Sequence, residues 1–210
     1  MISIDPARTA LLVMDFQNDM VDPEGKFGSQ GWAAEVERKH ALENTAEALA
    51  AARRERVTVV HVGLAWRPGH PEINPTASLF AGAVPVAGLV EGTWGAEFHP
   101  EVRPEEAELV VRKSSVSALA GTELERLLRL RGVRTLVLSG FATNFVVEGT
   151  ARQAVDQGYE VIVLADCCAS FTAEMDDYAL QTILPLLGTV TTSSEFVQAL
   201  TEVPSSLVEA

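Results

Sequence analysis

Short apolar runs along the chain alternate with segments whose apolar residues recur at helical spacing. Continuous apolar runs bounded by polar residues are typical of strands buried on both faces of a parallel sheet. Such runs predict strands at residues 10–15, 57–64, 108–113, 135–139, 160–165 and 189–192. The alternation of strands with helical segments predicts a single α/β domain over residues 1–210, with helices covering a parallel sheet.

Helices are predicted between these strands. Apolar residues recur at helical spacing within residues 33–54, and Thr122-x-x-Glu125 has the pattern of a capping box that opens a helix. Further helices are predicted at residues 144–157, at residues 174–184 and from Ser193 or Ser194 onward. A long stretch rich in proline and glycine occupies residues 65–104, and loops of this length are usually functional or contain short elements of their own.

Three strand ends carry residues suited to catalysis. The first strand closes on Asp15, the strand at residues 108–113 closes on Lys113, and the strand at residues 135–139 leads into a helix. Ligands bind outside the carboxyl ends of parallel strands, so we expect these ends to meet in one crevice. A carboxylate, an ammonium and the backbone N–H groups of a helix start can move protons and stabilise developing negative charge. The alternative on position alone is that Asp15 caps the next segment and Lys113 is solvated.

Composition narrows the class of partner. The chain has 210 residues, of which 29 are acidic and 16 basic, giving a net charge of −13. Such a charge repels nucleic acid and anionic membranes, so we expect a small-molecule substrate. No apolar run reaches the length of a membrane span and no signal region precedes residue 9, which predicts a cytoplasmic protein.

Several common catalytic motifs are missing from the sequence. The two cysteines, Cys167 and Cys168, are adjacent and are expected to be buried structural thiols in a reduced protein. Neither a G-x-S-x-G elbow nor a glycine-rich phosphate loop occurs, and the four histidines lack metal-binding spacing. We therefore expect no metal and no cofactor.

Three segments together point to a known family. LLVMDFQNDM at residues 11–20, VVRK at residues 110–113 and GFATNFVVEGTARQAVDQGYEVIVLADCCAS at residues 140–170 resemble the isochorismatase-like hydrolases. That family includes nicotinamidases, N-carbamoylsarcosine amidases, ureide and biuret hydrolases, and isochorismatases. The resemblance implies a three-layer α/β/α, Rossmann-like fold with a six-stranded, mainly parallel sheet, assembled as homodimers or homotetramers.

The resemblance also assigns roles to residues of the site. Asp15 matches the catalytic aspartate and Lys113 matches the family lysine. The Phe141–Ala142 bond lies where the family commonly has a cis peptide, which would direct the Ala142 N–H into an oxyanion hole. Val146 stands at the position of the nucleophilic cysteine of the amidases. A valine side chain cannot attack a carbonyl, so this position offers only its backbone N–H.

Substrate contacts are expected around these catalytic positions and in residues 25–31 and 65–95. We expect Arg67 to hold substrate carboxylates together with Lys113, and the Trp66 ring either to line the pocket or to hold the long loop in place. The expected substrate-contacting residues are Phe16, Gln17, Trp66, Arg67, Phe141 and Thr143.

Three functions remain open on the sequence. In the first, Asp15 with a raised pKa protonates a vinyl ether and water completes the cleavage, as implied by the isochorismatases, which also lack the cysteine. In the second, Asp15 is the base that activates water toward an amide or other C–N bond, with the Ala142 and Val146 N–H groups as oxyanion donors; a variant recruits Cys167 or Cys168 as nucleophile. In the third, the protein is a non-catalytic small-molecule binder on a hydrolase scaffold.

Overall fold

The six predicted strands form one sheet in which every neighbouring pair is parallel. The computed structural model describes residues 2–74, 76 and 78–201. Its strands lie in the order β3-β2-β1-β4-β5-β6. Their bounds are Thr9–Met14 (β1), Thr58–Leu64 (β2), Leu109–Lys113 (β3), Thr135–Phe141 (β4), Glu160–Ala169 (β5) and Thr189–Thr191 (β6).

Helices cover both faces of the sheet. Their bounds are Asn18–Val21 (α1), Trp32–Arg38 (α2), Ala41–Arg54 (α3), Ser78–Ala81 (α4), Ala83–Val86 (α5), Leu124–Leu130 (α6), Glu148–Asp156 (α7), Ala173–Tyr178 (α8) and Ser193–Thr201 (α9). On one face of the sheet, Leu11 and Val13 of β1 pack in a buried cluster with side chains of α3 and α9. On the other face, Leu12 packs in a second cluster with side chains of α6 and α7. These two clusters confirm the expected three-layer α/β/α architecture.

Two helix predictions need correction at their ends. The predicted helix at residues 33–54 is two helices, because the chain turns at His40, whose φ of 53° is left-handed and incompatible with a continuous helix. The capping box predicted at Thr122 is absent, and α6 begins at Leu124. The Thr122 hydroxyl instead donates to the Ala118 carbonyl at 2.6 Å, closing the preceding turn.

The predicted helix at residues 144–157 begins with a π-helical turn, Thr143–Val147, which continues directly into α7. Such turns are rare and occur often at functional sites. β5 continues to Ala169, four residues beyond its predicted end, because Gly140 and Phe141 of β4 pair with Cys168 and Ala169 after a register shift. The predicted helix at residues 174–184 divides into α8, a π-helical turn at Ala179–Ile183 and a 3-10 turn.

The stretch at residues 65–104 has short elements of its own. It contains α4, α5 and 3-10 turns at Trp94–Ala96 and Pro100–Val102. Within the part of the chain that the structure describes, no helix combines the length and apolarity needed to cross a membrane.

Candidate active site

Asp15 and Lys113 form a buried ion pair at the carboxyl edge of the sheet. Asp15 follows β1 directly and has a left-handed backbone with φ of 59°, fixed by its N–H donating to the Val62 carbonyl at 2.8 Å. Lys113 ends β3, and its Nζ lies 2.8 Å from Asp15 Oδ2 and 3.0 Å from the Ser115 carbonyl. Asp15 Oδ1 has no hydrogen-bond partner among the residues described. The carboxylate therefore keeps one oxygen free for another molecule.

The environment of Asp15 changes its proton affinity. Only 2% of the residue is exposed, and this burial raises the pKa of the Asp15 carboxyl above its ordinary value of 3.8. The charge and hydrogen bond of Lys113 act in the opposite direction and offset only part of the rise. A carboxyl group with a raised pKa exchanges protons closer to neutral pH than an ordinary aspartate does.

The end of β4 brings backbone atoms to the same place. A Cβ at Gly140 would lie 2.6 Å from the Met14 carbonyl oxygen, so only glycine permits the close approach of β4 to β1 here. The following peptide bond, Phe141–Ala142, is cis, as the resemblance implied. The π-helical turn begins at the next residue, and the Val147 N–H donates to the Ala142 carbonyl at 3.4 Å.

A cavity of about 340 Å³ opens onto these groups. Asp15, Lys113, Ala142 and Val146 all line it, and Val146 is only 2% exposed in total. The three strand ends therefore converge on one crevice, as the sequence predicted. Its volume is in the range of small-molecule sites.

Aromatic rings form a large part of the remaining wall, in two groups of contacting side chains. In one group, Trp32 stacks on Phe27 with ring centroids 5.1 Å apart and contacts Phe171 at 4.5 Å. In the other, Trp66 contacts Phe80 at 5.6 Å. All five line the cavity, together with Phe141 and Phe145.

The segment carrying α4 and α5 is tied to α1 and to the chain that follows β2, near the cavity. The Leu89 N–H donates to Asp19 Oδ2 at 2.7 Å, and the Trp66 N–H donates to the Leu89 carbonyl at 3.1 Å. The buried His70 ring lies 2.8 Å from the Gly88 carbonyl through Nε2. These bonds hold Leu89 and the two short helices over the cavity.

The predicted role of Arg67 is not supported by its position. Arg67 does not line the cavity, its side chain is 67% exposed, and its guanidinium pairs with Glu72 on the same loop. Arg67 follows Trp66 directly in the sequence, but the two side chains point to different sides of the chain. Trp66 itself is 2% exposed and lines the cavity.

Three further predicted contacts lie outside the cavity lining. Phe16 is fully buried in the core. Gln17 is held by the backbone of β2, donating to the Leu64 carbonyl and accepting from the Leu64 N–H at 2.7 Å each. The Thr143 hydroxyl donates to Asp176. These three side chains are engaged within the protein and do not reach the cavity, so the structure does not support substrate contacts at these positions.

Thr143 belongs to a buried polar cluster behind the π-helical turn. Asp176 of α8 accepts from Thr143 and pairs with Lys39 Nζ at 2.5 Å. Lys39 also donates to the Ala165 carbonyl of β5 at 2.8 Å. Because Asp176 is 2% exposed, this cluster fixes the start of the turn that carries Val146. No pattern in the sequence indicated that these residues would meet. Lys39 and Thr143 lie more than 100 positions apart in the chain.

The two cysteines are not placed to act as nucleophiles. Cys167 and Cys168 are both fully buried in β5, and neither lines the cavity. Burial raises the pKa of the Cys167 thiol well above its usual range and that of Cys168 to about 12. A reactive thiol needs exposure and a lowered pKa, so the variant in which one of them replaces the missing nucleophile is contradicted.

Three aromatic residues of the cavity were not anticipated from the sequence. Phe27 lies within residues 25–31, which were expected to shape the pocket, but Trp32, Phe145 and Phe171 were not singled out. Phe171 was missed because β5 was ended at residue 165, so its true carboxyl end was not examined. Phe145 directly precedes Val146 on the turn that follows β4. Residues that follow a strand end are expected to line the site, so this position could have been predicted.

The residues described contain no group of three His, Cys, Asp or Glu side chains able to hold a metal ion. His61 of β2 is buried with Nε2 2.9 Å from Glu108 Oε2. Burial lowers the pKa of the His61 imidazole, which favours its neutral form.

Comparison with known proteins gives a consistent result over nearly the whole chain. The model of the isochorismatase domain matches residues 9–195. The isochorismatase family protein YwoC of Bacillus subtilis is 30% identical over 199 residues, covering 94% of this chain and 96% of its own length. The ureidoacrylate amidohydrolase RutB of Methylobacterium radiotolerans is 33% identical, covering 95% of this chain and 82% of its own.

Solved structures agree with the fold. A cysteine hydrolase from Pseudomonas syringae pv. phaseolicola superposes with a TM-score of 0.85 at 26% identity, covering 97% of each chain. An N-carbamoylsarcosine amidase from Thermoplasma acidophilum superposes with a TM-score of 0.68 at 25% identity, covering 89% of this chain and 96% of its own.

Proposed function

This chain belongs to the isochorismatase family of hydrolases, and we propose that it hydrolyses an amide-type C–N bond of a small molecule with a water molecule activated by Asp15. The observation that carries the proposal is the buried Asp15–Lys113 pair, which lines one cavity with Val146 at the position of the missing cysteine. A base and an ammonium are present, and a side-chain nucleophile at position 146 is not.

In this mechanism the free oxygen of Asp15 accepts a proton as water attacks the substrate carbonyl carbon. The C=O π electrons move onto oxygen, and the Ala142 and Val146 N–H groups stabilise that oxyanion. Collapse of the tetrahedral intermediate breaks the C–N bond, and the proton on Asp15 passes to the leaving nitrogen. A positioned base contributes about 10²–10⁴-fold and one oxyanion donor about 10²–10³-fold to such a reaction. The charge and hydrogen bond of Lys113 oppose the effect of burial and so favour the ionised form of Asp15.

The named activities of relatives favour the C–N bond. The relative RutB is a ureidoacrylate amidohydrolase, and one structural neighbour is an N-carbamoylsarcosine amidase. Their names describe amide or ureide substrates, in which a carbonyl carbon carries nitrogen. Cleavage of the same class of bond by this chain requires water to attack the carbonyl carbon directly, because a valine side chain cannot form an acyl intermediate.

The raised pKa of Asp15 favours a second candidate, cleavage of a vinyl ether. A protonated Asp15 would transfer its proton to the terminal carbon of the double bond, and water would add to the resulting oxocarbenium carbon. Loss of the alcohol then leaves a carbonyl product. Val146 needs no chemical role in this reaction beyond shaping the pocket.

Product analysis distinguishes the two candidates. Wild type and Asp15→Asn are incubated with a simple aromatic amide, an N-carbamoyl amino acid and isochorismate, and products are identified by mass spectrometry. From wild type we expect ammonia with the matching carboxylic acid from the amide, or ammonia and carbon dioxide with the free amino acid from the N-carbamoyl compound, and none of these products from the variant. Release of pyruvate from isochorismate alone would establish the vinyl-ether reaction instead. Absence of any product, with saturable binding of a panel compound, would support the non-catalytic binder.

A further inference from the structure

Charge inside the cavity is balanced. Among the described residues that line it, Asp15 and Lys113 are the only ionisable side chains, and they neutralise each other at 2.8 Å. Lys113 gives a further hydrogen bond to the Ser115 carbonyl, so its ammonium already has two protein partners. A substrate carboxylate entering the cavity would find no cation whose charge is still uncompensated.

Neighbouring cations are also engaged outside the cavity. Arg67, the residue expected to hold a carboxylate, pairs with Glu72 on the exposed loop. Lys26 donates to the Ala87 carbonyl at 2.5 Å, with Asp19 Oδ2 4.0 Å away. Transferring an ionised carboxylate into an apolar site without a partner is strongly unfavourable. The net charge of −13 adds long-range repulsion of anions.

The walls suit a flat apolar group. Trp32, Phe145 and Phe171 belong to one aromatic group in the wall, and Trp66 and Phe80 form the other. Aliphatic side chains fill the space between them, including Leu64, Leu89, Val116 and Val146. Aromatic rings in such a wall favour offset or edge-to-face contact with a ring of the ligand.

We propose that the substrates of this site are neutral molecules with an aromatic ring and no carboxylate, whose scissile carbonyl lies at Asp15. The inference rests on the proposed function only for the position of the scissile bond. The ring occupies the aromatic part of the cavity, and the reacting group approaches the free Asp15 oxygen. Carboxylated substrates are rejected because the Asp15–Lys113 pair leaves no positive charge for them.

Binding measurements test this selectivity without requiring turnover. Isothermal titration calorimetry of the wild-type chain compares benzamide, 4-carbamoylbenzoate and acetamide. We expect saturable binding of benzamide, affinity lower by on the order of 100-fold for the carboxylated ring, and no saturable binding of acetamide, which lacks the ring. Selective binding of benzamide without its hydrolysis would support the substrate class while counting against the proposed reaction.

A charge introduced in the wall provides the matched comparison. Val116→Arg places a cation in the cavity wall, whereas Val155→Arg makes the same change at an exposed position outside it. We expect Val116→Arg alone to bring the affinity for 4-carbamoylbenzoate close to that for benzamide. Equal affinity of the two ligands for wild type, tighter binding of the carboxylate, or no saturable binding of benzamide would overturn the proposal. The wild-type ratio decides the question even if Val116→Arg fails to fold.

Discussion

Asp15 and Lys113 meet at 2.8 Å although their strands, β1 and β3, are separated in the sheet by β2. The lysine side chain reaches past the carboxyl end of β2, and both groups are almost completely buried. Asp15 Oδ1 has no hydrogen-bond partner among the residues described, so the pair leaves one carboxylate oxygen available to a bound molecule. The order of the strands therefore brings together the two charged groups that the proposed reaction uses.

Breaking this pair on one side is expected to be costly. Lys113→Met leaves a buried carboxylate without a cation and should lower the free energy of unfolding by about 3–5 kcal/mol. Adding Asp15→Asn to Lys113→Met should recover part of that loss, because no buried charge is then unpaired. Urea unfolding of the wild type, both single variants and the double variant measures the coupling.

The matched control is the exposed pair between Arg126 and Glu123, whose side chains are 65% and 58% exposed. Arg126→Met should cost less than about 1 kcal/mol. A similar cost for Lys113→Met, or strictly additive losses in the double variant, would contradict a strongly coupled buried pair.

The pH dependence of activity distinguishes a base from an acid at Asp15. A base acts in its deprotonated form, so kcat/KM should rise with pH through a midpoint above 3.8, the ordinary pKa of the group, and then level off. The direction follows from the raised pKa, which keeps Asp15 protonated to higher pH than a solvated aspartate. Initial rates across the stable pH range provide the profile. A rate that instead falls as pH rises through this midpoint indicates that protonated Asp15 is the active form, as in vinyl-ether cleavage.

Restoring a thiol at position 146 should create the missing nucleophile. Val146→Cys places a cysteine on the cavity wall beside Asp15 and Lys113, and we expect its alkylation by iodoacetamide and faster amide hydrolysis than wild type. Labelling is read by mass spectrometry, with little background because both native cysteines are buried.

Val147→Cys is the control for this variant, since Val147 lies on the same turn but is fully buried and does not line the cavity. It should be neither labelled nor faster. Equal labelling of the two variants, or an unreactive Val146→Cys, would show that position 146 does not face substrate as described.

The polar cluster behind the turn should act through the position of Val146. Thr143→Val removes the hydrogen bond to Asp176, and we expect kcat to fall by about 10- to 100-fold with little change in KM. Thr150→Val is a suitable comparison, because Thr150 is also buried and accepts the Ala118 N–H at 2.9 Å outside the cavity. Steady-state kinetics and thermal unfolding are measured for both. If the two variants lose stability and kcat in parallel, Thr143 has no positioning role.

The six strands and the convergence of Asp15, Lys113 and the β4 end followed from the sequence because they depend on the strands and their ends, which apolar runs mark well. The directions of side chains in the long loop did not follow from the sequence. Trp66 and Arg67 are adjacent in sequence, yet one lines the cavity and the other pairs with Glu72 on the surface. That difference arises from loop contacts such as the Trp66 N–H to the Leu89 carbonyl, which join residues far apart in the chain.

The ends of the helices were also not predicted by the local sequence pattern. The break at His40 leaves Lys39 where it reaches Asp176 and β5, a tertiary arrangement that no helical periodicity encodes. The π-helical turn at Thr143–Val147 has the same apolar residues as an ordinary helix start. Its form depends on packing against β5 and α8 rather than on propensity alone.

The central claim is hydrolysis that depends on Asp15 and not on a cysteine. Its most direct test measures kcat/KM for one hydrolysed substrate with wild type, Asp15→Asn and the double variant Cys167→Ala/Cys168→Ala. We expect the cysteine-free protein to retain wild-type kcat/KM, while Asp15→Asn loses about 10²–10⁴-fold. Loss of activity in the cysteine-free protein with normal folding, together with an active Asp15→Asn, would contradict it.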